Sequence, residues 1–214
     1  MTDTPREGTP TRVGLRELLG GTPDPDFMLI LPPDWVRREV NEQEQARMLA
    51  KVRGRLLEAH RPDLYGKMRA MLDEAFTQMR KVSTVALFSP ADDAPEGAFL
   101  PASLTASIQH AEPGQTLDGY VRAAIQSDGA TPLFDDKRIM RVERETSDTI
   151  DGEQVLTTTI AYLTPVPGSG RRRALLLTAV IVRPPEAPAD DLPLLQMKAL
   201  FDVCVSTLTW VPAG

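Results

Sequence analysis

The feature that most constrains the fold is a nearly continuous apolar run, residues 174–182, near the end of the chain. This run is far shorter than the roughly 20 residues of a membrane-spanning helix. Prolines at 184 and 185 end it, and its composition is typical of a strand that is central or covered on both faces. We therefore expect a sheet built around this strand, with four largely buried members. They are Leu175, Leu177, Ala179 and Ile181.

The rest of the second half alternates as an antiparallel meander does. Runs of β-type residues predict strands at 84–88, 99–110, 138–146 and 155–163, and Asp151-Gly152 signals a tight hairpin between the last two. Pro101, near the start of the second run, indicates an edge strand or a bulge. Helical spacing predicts a helix over 117–127, capped by Thr116, and a last helix that begins at Pro193.

The first half is dominated by helices. A short apolar run, 27–31, predicts a strand that ends at two prolines, and Asn41 then has the side chain of a good helix N-cap. No strand pattern occurs over residues 41–81. Pro62 divides this stretch into two helices, because proline fits the first turn of a helix but not its interior.

The second helix of this pair carries more apolar residues than one narrow stripe needs. Flexible methionine-rich surfaces bind varied partners, so this helix is the candidate site for a protein partner or a second copy of the chain. The alternative is that its side chains fill the core between helix and sheet. Trp35, just after the first strand, offers a similar choice between covering the rim of the core and stacking on a ligand. The candidate partner-binding residues are Met68, Met71, Leu72, Phe76, Met79 and Trp35.

Charge and residue counts argue against several classes of function. The formal net charge is -6 and the pI is about 5.0, whereas broad nucleic-acid binding needs a basic surface. One cysteine and two histidines lack partners for a metal or catalytic site, so we expect no metal, no cofactor and no catalytic residue. Residues 1–25, rich in Thr, Pro, Gly and charge, predict a flexible tail without a signal peptide before a single domain at 26–214.

Three short motifs together resemble the PsbP-like superfamily. They are the opening segment from Phe27 to Trp35, the helix start from Thr116 to Tyr120, and the ending from Phe201 to Trp210. That superfamily includes thylakoid PsbP, a yeast Ran-binding protein, mycobacterial LpqN-type lipoproteins and chaperones of secreted bacterial effectors. The resemblance implies an α+β fold, with a mostly antiparallel sheet flanked by helices, and binding rather than catalysis. The chain departs from the pattern in its extra N-terminal helical pair at 41–81 and in lacking the lipoproteins' signal and lipid-attachment cysteine.

These observations predict a cytosolic, non-enzymatic protein-binding or adaptor protein, without membrane insertion, and raise the expectation of an association with a bacterial secretion system. The alternative is a small-molecule-binding protein or an enzyme that uses the cleft between sheet and helices. A deep polar pocket with converging ionisable side chains would favour this alternative. A flat apolar groove would favour the adaptor, whose expected partner is another protein or a second copy of the chain.

Overall fold

The computed structural model describes residues 25–94, 101–150 and 153–212. Within these ranges the chain is an α+β protein with antiparallel sheets flanked by helices, as the sequence predicts. Residues 1–24 of the expected tail, the start of the strand expected at 99–110 and the Asp151-Gly152 turn lie outside the described residues.

The described strands form a large sheet and a small one. They are β1 (Asp26–Met28), β2 (Trp35–Arg38), β3 (Thr84–Pro90), β4 (Ala102–His110), β5 (Thr131–Leu133), β6 (Asp136–Ile150), β7 (Glu153–Pro165), β8 (Arg173–Arg183) and β9 (Thr209–Val211). The large sheet has the order β2-β3-β4-β8-β7-β6-β5, and β1 pairs with β9. The apolar run is thus the central strand, β8, which confirms the prediction. Its four predicted core residues, Leu175, Leu177, Ala179 and Ile181, are fully buried.

Four α-helices occur in the described ranges. They are α1 (Glu42–Glu58), α2 (Tyr65–Lys81), α3 (Asp118–Asp128) and α4 (Leu192–Ser206). Asn41 caps α1 as predicted, since its Oδ1 accepts a hydrogen bond from the backbone N–H of Glu44 at 2.8 Å. Pro62 starts a 3-10 turn, Pro62–Leu64, that leads into α2. None of these helices is long and apolar enough to cross a membrane.

The two faces of the large sheet are covered differently. One face, which we call the packed face, carries the side chains of Leu177 and Tyr162 and is covered by α4 and the β1–β9 pair. The main hydrophobic cluster of the described residues lies between these elements. The opposite face, which we call the open face, carries Leu176 and Thr178. Helices α1 and α3 lie on this open face, and α2 packs beside α1.

The β1–β9 pair brings two distant parts of the chain together on the packed face. Phe27 of β1 lies opposite Trp210 of β9, and the two rings meet edge to face with centroids 6.3 Å apart. Phe27 also meets Phe88 of β3 edge to face at 6.2 Å. On its other side the guanidinium of Arg37 lies 4.7 Å from the centroid of the Phe27 ring. These aromatic contacts attach the small sheet to the large one.

Several elements differ from the sequence-based prediction. The strand expected at 27–31 is shorter and covers Asp26–Met28, because only three residues of β1 pair with residues of β9. The alternation of apolar and polar residues predicts neither β2 nor β5. These strands have four and three residues, which is too short for a periodic signal. Pro101 does not mark an edge strand: β4 lies between β3 and β8, and Pro101 precedes it and accepts a hydrogen bond from Val182 N at 2.9 Å. Leu117, not Thr116, is the N-cap of α3.

Candidate functional site

The apolar side of α2 is wider than the surface that it buries. At 3.6 residues per turn, Met68, Met71 and Ala75 of α2 fall along one side of the helix, and Phe76 lies at the edge of the same apolar arc. Val82, the C-cap residue just after α2, continues this side. Phe76 is fully buried, whereas Met68, Met71 and Val82 are 39%, 42% and 51% exposed. Ala75 is also exposed. We call Met68, Met71, Ala75 and Val82 the α2 stripe.

Two of the six predicted partner-binding residues are in the interior. Phe76 is fully buried, and Trp35 packs edge to face on Phe201 of α4 with ring centroids 5.4 Å apart. Trp35 therefore covers the rim of the core, and neither aromatic ring is available to a partner in this conformation. Leu72 and Met79 are half-buried. The two remaining methionines are those of the α2 stripe.

Polar contacts, together with the buried ring of Phe76, hold the α1–α2 hairpin in place. Gln45 of α1 donates to Asp73 of α2 at 2.7 Å and accepts from Arg80 at 3.0 Å. At the sheet, Arg38 of β2 lies 3.5 Å from Glu44 of α1. No side chain of α1 is buried. The hairpin is thus attached through these polar groups and one buried aromatic ring, which leaves part of its apolar side exposed.

Asp92, in the loop after β3, is surrounded by three cations. Its Oδ1 lies 2.9 Å from Lys51 Nζ and 3.5 Å from the Arg38 guanidinium, and its Oδ2 contacts Arg47. The hydrogen bond from Lys51, together with the charges of both arginines, lowers the pKa of Asp92 against the opposing effect of burial. The ionised carboxylate therefore ties α1 to this loop and to β2.

A row of charged side chains joins α4 to β6 and β7 on the packed face. The hydroxyl of Tyr162 donates to Asp202 Oδ1 at 2.6 Å, and Arg141 Nε donates to the same oxygen at 2.8 Å. Arg141 also donates to Glu143 at 2.7 Å, and Lys198 of α4 donates to Glu143 at 2.6 Å. We call these five residues the Asp202 network. This network was not predicted from the sequence, although the alternating charges on β6 were a weak signal for it.

Burial and pairing set the protonation of the Asp202 network. Burial, together with the hydrogen bond to Asp202, raises the pKa of Tyr162 far above its usual range. Burial opposes ionisation of Glu143, but hydrogen bonds from Lys198 and Arg141 outweigh it and lower the pKa of Glu143. Tyr162 is therefore a neutral phenol and Glu143 an ionised carboxylate at neutral pH. The Asp202 network therefore attaches α4 to β6 and β7, and its protonation states do not favour proton transfer at neutral pH.

The one cysteine and the two histidines of the chain, all of which are described, do not converge on one site. Cys204 is buried on α4, and burial raises the pKa of its thiol, which makes the thiol unreactive. His60 follows α1 and His110 ends β4, and both are exposed. Among the described residues, no group of three or more His, Cys, Asp and Glu side chains could hold a metal ion.

A groove lies on the open face between α3 and strands β6, β7 and β8. It contains two adjoining cavities of about 160 and 270 Å³, which share Val121, Met140 and Leu163 as walls. Most of the surrounding side chains are apolar, and charged groups lie at its two ends. The groove therefore offers a surface for binding, with no cluster of ionisable groups at its centre.

Comparisons with known proteins find a structural likeness but no family. No family model matches the chain, and no curated protein sequence matches it. A crystal structure of a protein from Bacteroides thetaiotaomicron VPI-5482 is similar, with 12% sequence identity and a TM-score of 0.41. The match covers 86% of this chain and 44% of that chain, so this chain spans less than half the length of that protein. A TM-score of this size does not identify a shared fold.

Proposed function

We propose that this protein is a non-enzymatic protein-binding or adaptor protein and that the α2 stripe is its contact surface. The observation that carries the proposal is the exposure of Met68 and Met71 of α2 in one row with Val82, the residue that caps the C-terminus of this helix. Single exposed apolar residues are ordinary on protein surfaces, but a row of them is typical of an interaction site. Methionine side chains are flexible and polarizable, so this row adapts to the surface of a partner.

The architecture of the open face supports this proposal. An amphipathic helix with an uncovered apolar row can dock into a groove of another protein or against a second helix. The PsbP-like resemblance points the same way, because that superfamily includes chaperones of secreted effectors. Membership of the superfamily, a cytosolic location and an association with a secretion system remain predictions.

The test is affinity capture with three matched baits: the wild-type chain, Met71→Glu and Ala70→Glu. Ala70 is exposed and lies about a third of a turn around the helix from the α2 stripe, so its variant gains the same charge elsewhere on the helix. Proteins captured from extracts of the native organism are quantified by mass spectrometry. We expect a set retained by wild type and Ala70→Glu and lost from Met71→Glu, because a carboxylate is costly to bury in an apolar interface.

The same baits also test a second copy of the chain as the partner. Size-exclusion chromatography with light scattering gives the mass of each variant. If wild type and Ala70→Glu are dimers and Met71→Glu is a monomer, the α2 stripe is a homodimer contact. Equal capture and equal mass for all three baits would contradict the proposed contact surface.

The groove beneath α3 favours a second function, the binding of a small molecule in the cleft between sheet and helix. Its two cavities adjoin, and their walls are mostly apolar with charged groups at the ends. Small-molecule sites usually combine an apolar lining with a few polar groups that orient the ligand. This function uses a different part of the open face from the α2 stripe.

A further inference from the structure

Helix α3 is held over the open face at its two ends. Near its N-terminus, Asp118 pairs with Arg171 at 3.3 Å, and the backbone N–H of Leu117 donates to the Arg171 carbonyl at 2.9 Å. At its C-terminus, Asp128 pairs with Arg144 of β6. No side chain of α3 is buried between these contacts. The helix therefore bridges the sheet instead of packing into it.

The space beneath this bridge is the groove described above. Its cavities of about 160 and 270 Å³ adjoin along the helix, because both are lined by Val121, Met140 and Leu163. A dry cavity of about 150 Å³ already admits benzene, and small-molecule pockets span roughly 300–1,000 Å³. The two cavities together therefore suit a narrow, chain-like ligand that lies along α3.

The chemistry of the walls changes along the groove. Beneath the middle of α3 the walls are apolar and include Ala124, Val142 and Ala161. Beside the N-terminus of α3, four cationic side chains and one carboxylate, Asp118, line the larger cavity. The cations are Lys137, Arg138, Arg171 and Arg173. Arg171 pairs with Asp118, and Arg138 pairs with Asp136, so four positive charges face two carboxylates at this end of the groove. The remaining positive excess is local in a chain of net charge -6 and is complementary to an anionic group.

We propose that the groove binds a free medium-chain fatty acid, with the alkyl chain beneath α3 and the carboxylate among the cations near Arg171. This inference rests on the second function proposed above and is independent of the α2 stripe. Removing the methylenes from water supplies the affinity, because the walls beneath α3 are apolar. A charge-assisted hydrogen bond from Lys137 and the attraction of the neighbouring cations recognise the carboxylate and set the direction of the chain.

The test begins with calorimetric titration of hexanoate, octanoate, decanoate and the uncharged decanol, each below its micellar concentration. We expect one site and a decanoate dissociation constant on the order of 10–100 µM. Each added methylene should tighten binding by up to about fourfold, because the chain is buried. Decanol should bind about fivefold more weakly than decanoate.

Two sets of variants locate the ligand. Lys137→Gln should weaken decanoate binding about threefold and leave decanol binding unchanged, because Lys137 takes no part in the ion pairs that hold α3. Ala124→Phe fills the groove from the helix side and should abolish binding of both ligands, while Ala123→Phe is the matched control because Ala123 is exposed. Thermal melts check that each variant is folded.

Methyl NMR of the methionines gives a readout that needs no variant. Decanoate should shift the methyl signal of Met140, which lines both cavities, and leave that of Met71 unchanged. No saturable binding of any of the four ligands would overturn this inference; because all four are alkyl chains, it would not by itself overturn the second function. Equal binding of decanol and decanoate with a shift at Met140 would overturn only the fatty-acid assignment. A shift confined to Met71 would overturn the groove as the site.

Discussion

The packed face and the open face use their helices in opposite ways. Five side chains of α4 are buried: Leu194, Met197, Phe201, Cys204 and Val205. On the other side, α1 and α3 bury no side chain and α2 buries only Phe76. Burial of apolar side chains is the dominant favourable term in folding. We infer that most of the stability comes from the packed face, while the helices of the open face leave apolar side chains exposed.

The ion pairs follow the same division. Asp202 on the packed face is 17% exposed and accepts hydrogen bonds from both Tyr162 and Arg141. Asp128 on the open face pairs with Arg144, whose side chain is 62% exposed. Solvent-exposed pairs of the second kind contribute about 0–1 kcal/mol. We therefore expect the open-face helices to separate locally from the sheet at a lower free energy than global unfolding requires.

Two adjacent leucines of β8 give the sharpest test of this comparison. Leu177 points into the packed face and is fully buried, whereas Leu176 points into the groove and is half-buried. We expect Leu177→Ala to lower the free energy of unfolding by about 2–5 kcal/mol, and Leu176→Ala by about 1 kcal/mol or less. Urea unfolding followed by circular dichroism measures both values. Equal losses would show that the two faces contribute alike.

Asp202 and Asp128 test whether the ion pairs of the two faces differ in their contribution to stability, as the apolar side chains of β8 are expected to do. Asp202→Ala removes the acceptor shared by Tyr162 and Arg141, and we expect it to lower the free energy of unfolding by about 1–3 kcal/mol. Asp128→Ala should change this free energy by less than about 1 kcal/mol, because its pair is exposed. The same urea experiment compares them, and a larger loss for Asp128→Ala would reverse the proposed ranking of the faces.

Acid should weaken the packed face through Glu143. Ion pairs with Lys198 and Arg141 lower the pKa of Glu143 in the folded protein despite its burial. A carboxylate of this kind binds fewer protons when folded than when unfolded. Its contribution to stability is therefore full above its ordinary pKa of 4.5 and is lost as the pH falls through the lower folded value. Thermal melts of wild type and Glu143→Gln at a series of pH values measure this effect. We expect the difference between their melting temperatures to be constant near neutral pH and to shrink toward pH 3. A difference that widens in acid would contradict this role.

The elements that could be predicted from the sequence are those with a local cause. The apolar run that became β8, the Asn41 side chain that caps α1 and the proline that precedes α2 each act through their immediate neighbours. β2 and β5 have no comparable signal. They are strands because β3 and β6 offer them edges with which to pair. Such pairing depends on the assembled sheet. The four residues of β2 and the three of β5 are too few to show it as a sequence pattern.

The candidate surfaces were predictable only in part for the same reason. Helical spacing identifies the apolar arc of α2, but Met71 and Phe76 belong to the same arc, and only the position of the helix in the fold decides which is buried. The Asp202 network was not predictable, because Arg141 and Asp202 are 61 residues apart in the chain. The groove beneath α3 was not predictable either, because it depends on two ion pairs that join the ends of the helix to distant parts of the chain.

The smallest expected effect tests whether the open face is a free surface in the isolated chain. Met71 is exposed on the α2 stripe, so a glutamate there keeps its carboxylate in water. We expect Met71→Glu and the control Ala70→Glu each to shift the melting temperature by less than about 2 °C, as is usual for surface substitutions. Differential scanning calorimetry at neutral pH measures both shifts. If Met71→Glu instead lowered the melting temperature by more than about 5 °C while Ala70→Glu did not, a buried carboxylate would be the cause. The α2 stripe would then be part of the cover over the sheet, and the contrast between the two faces would no longer extend to α2.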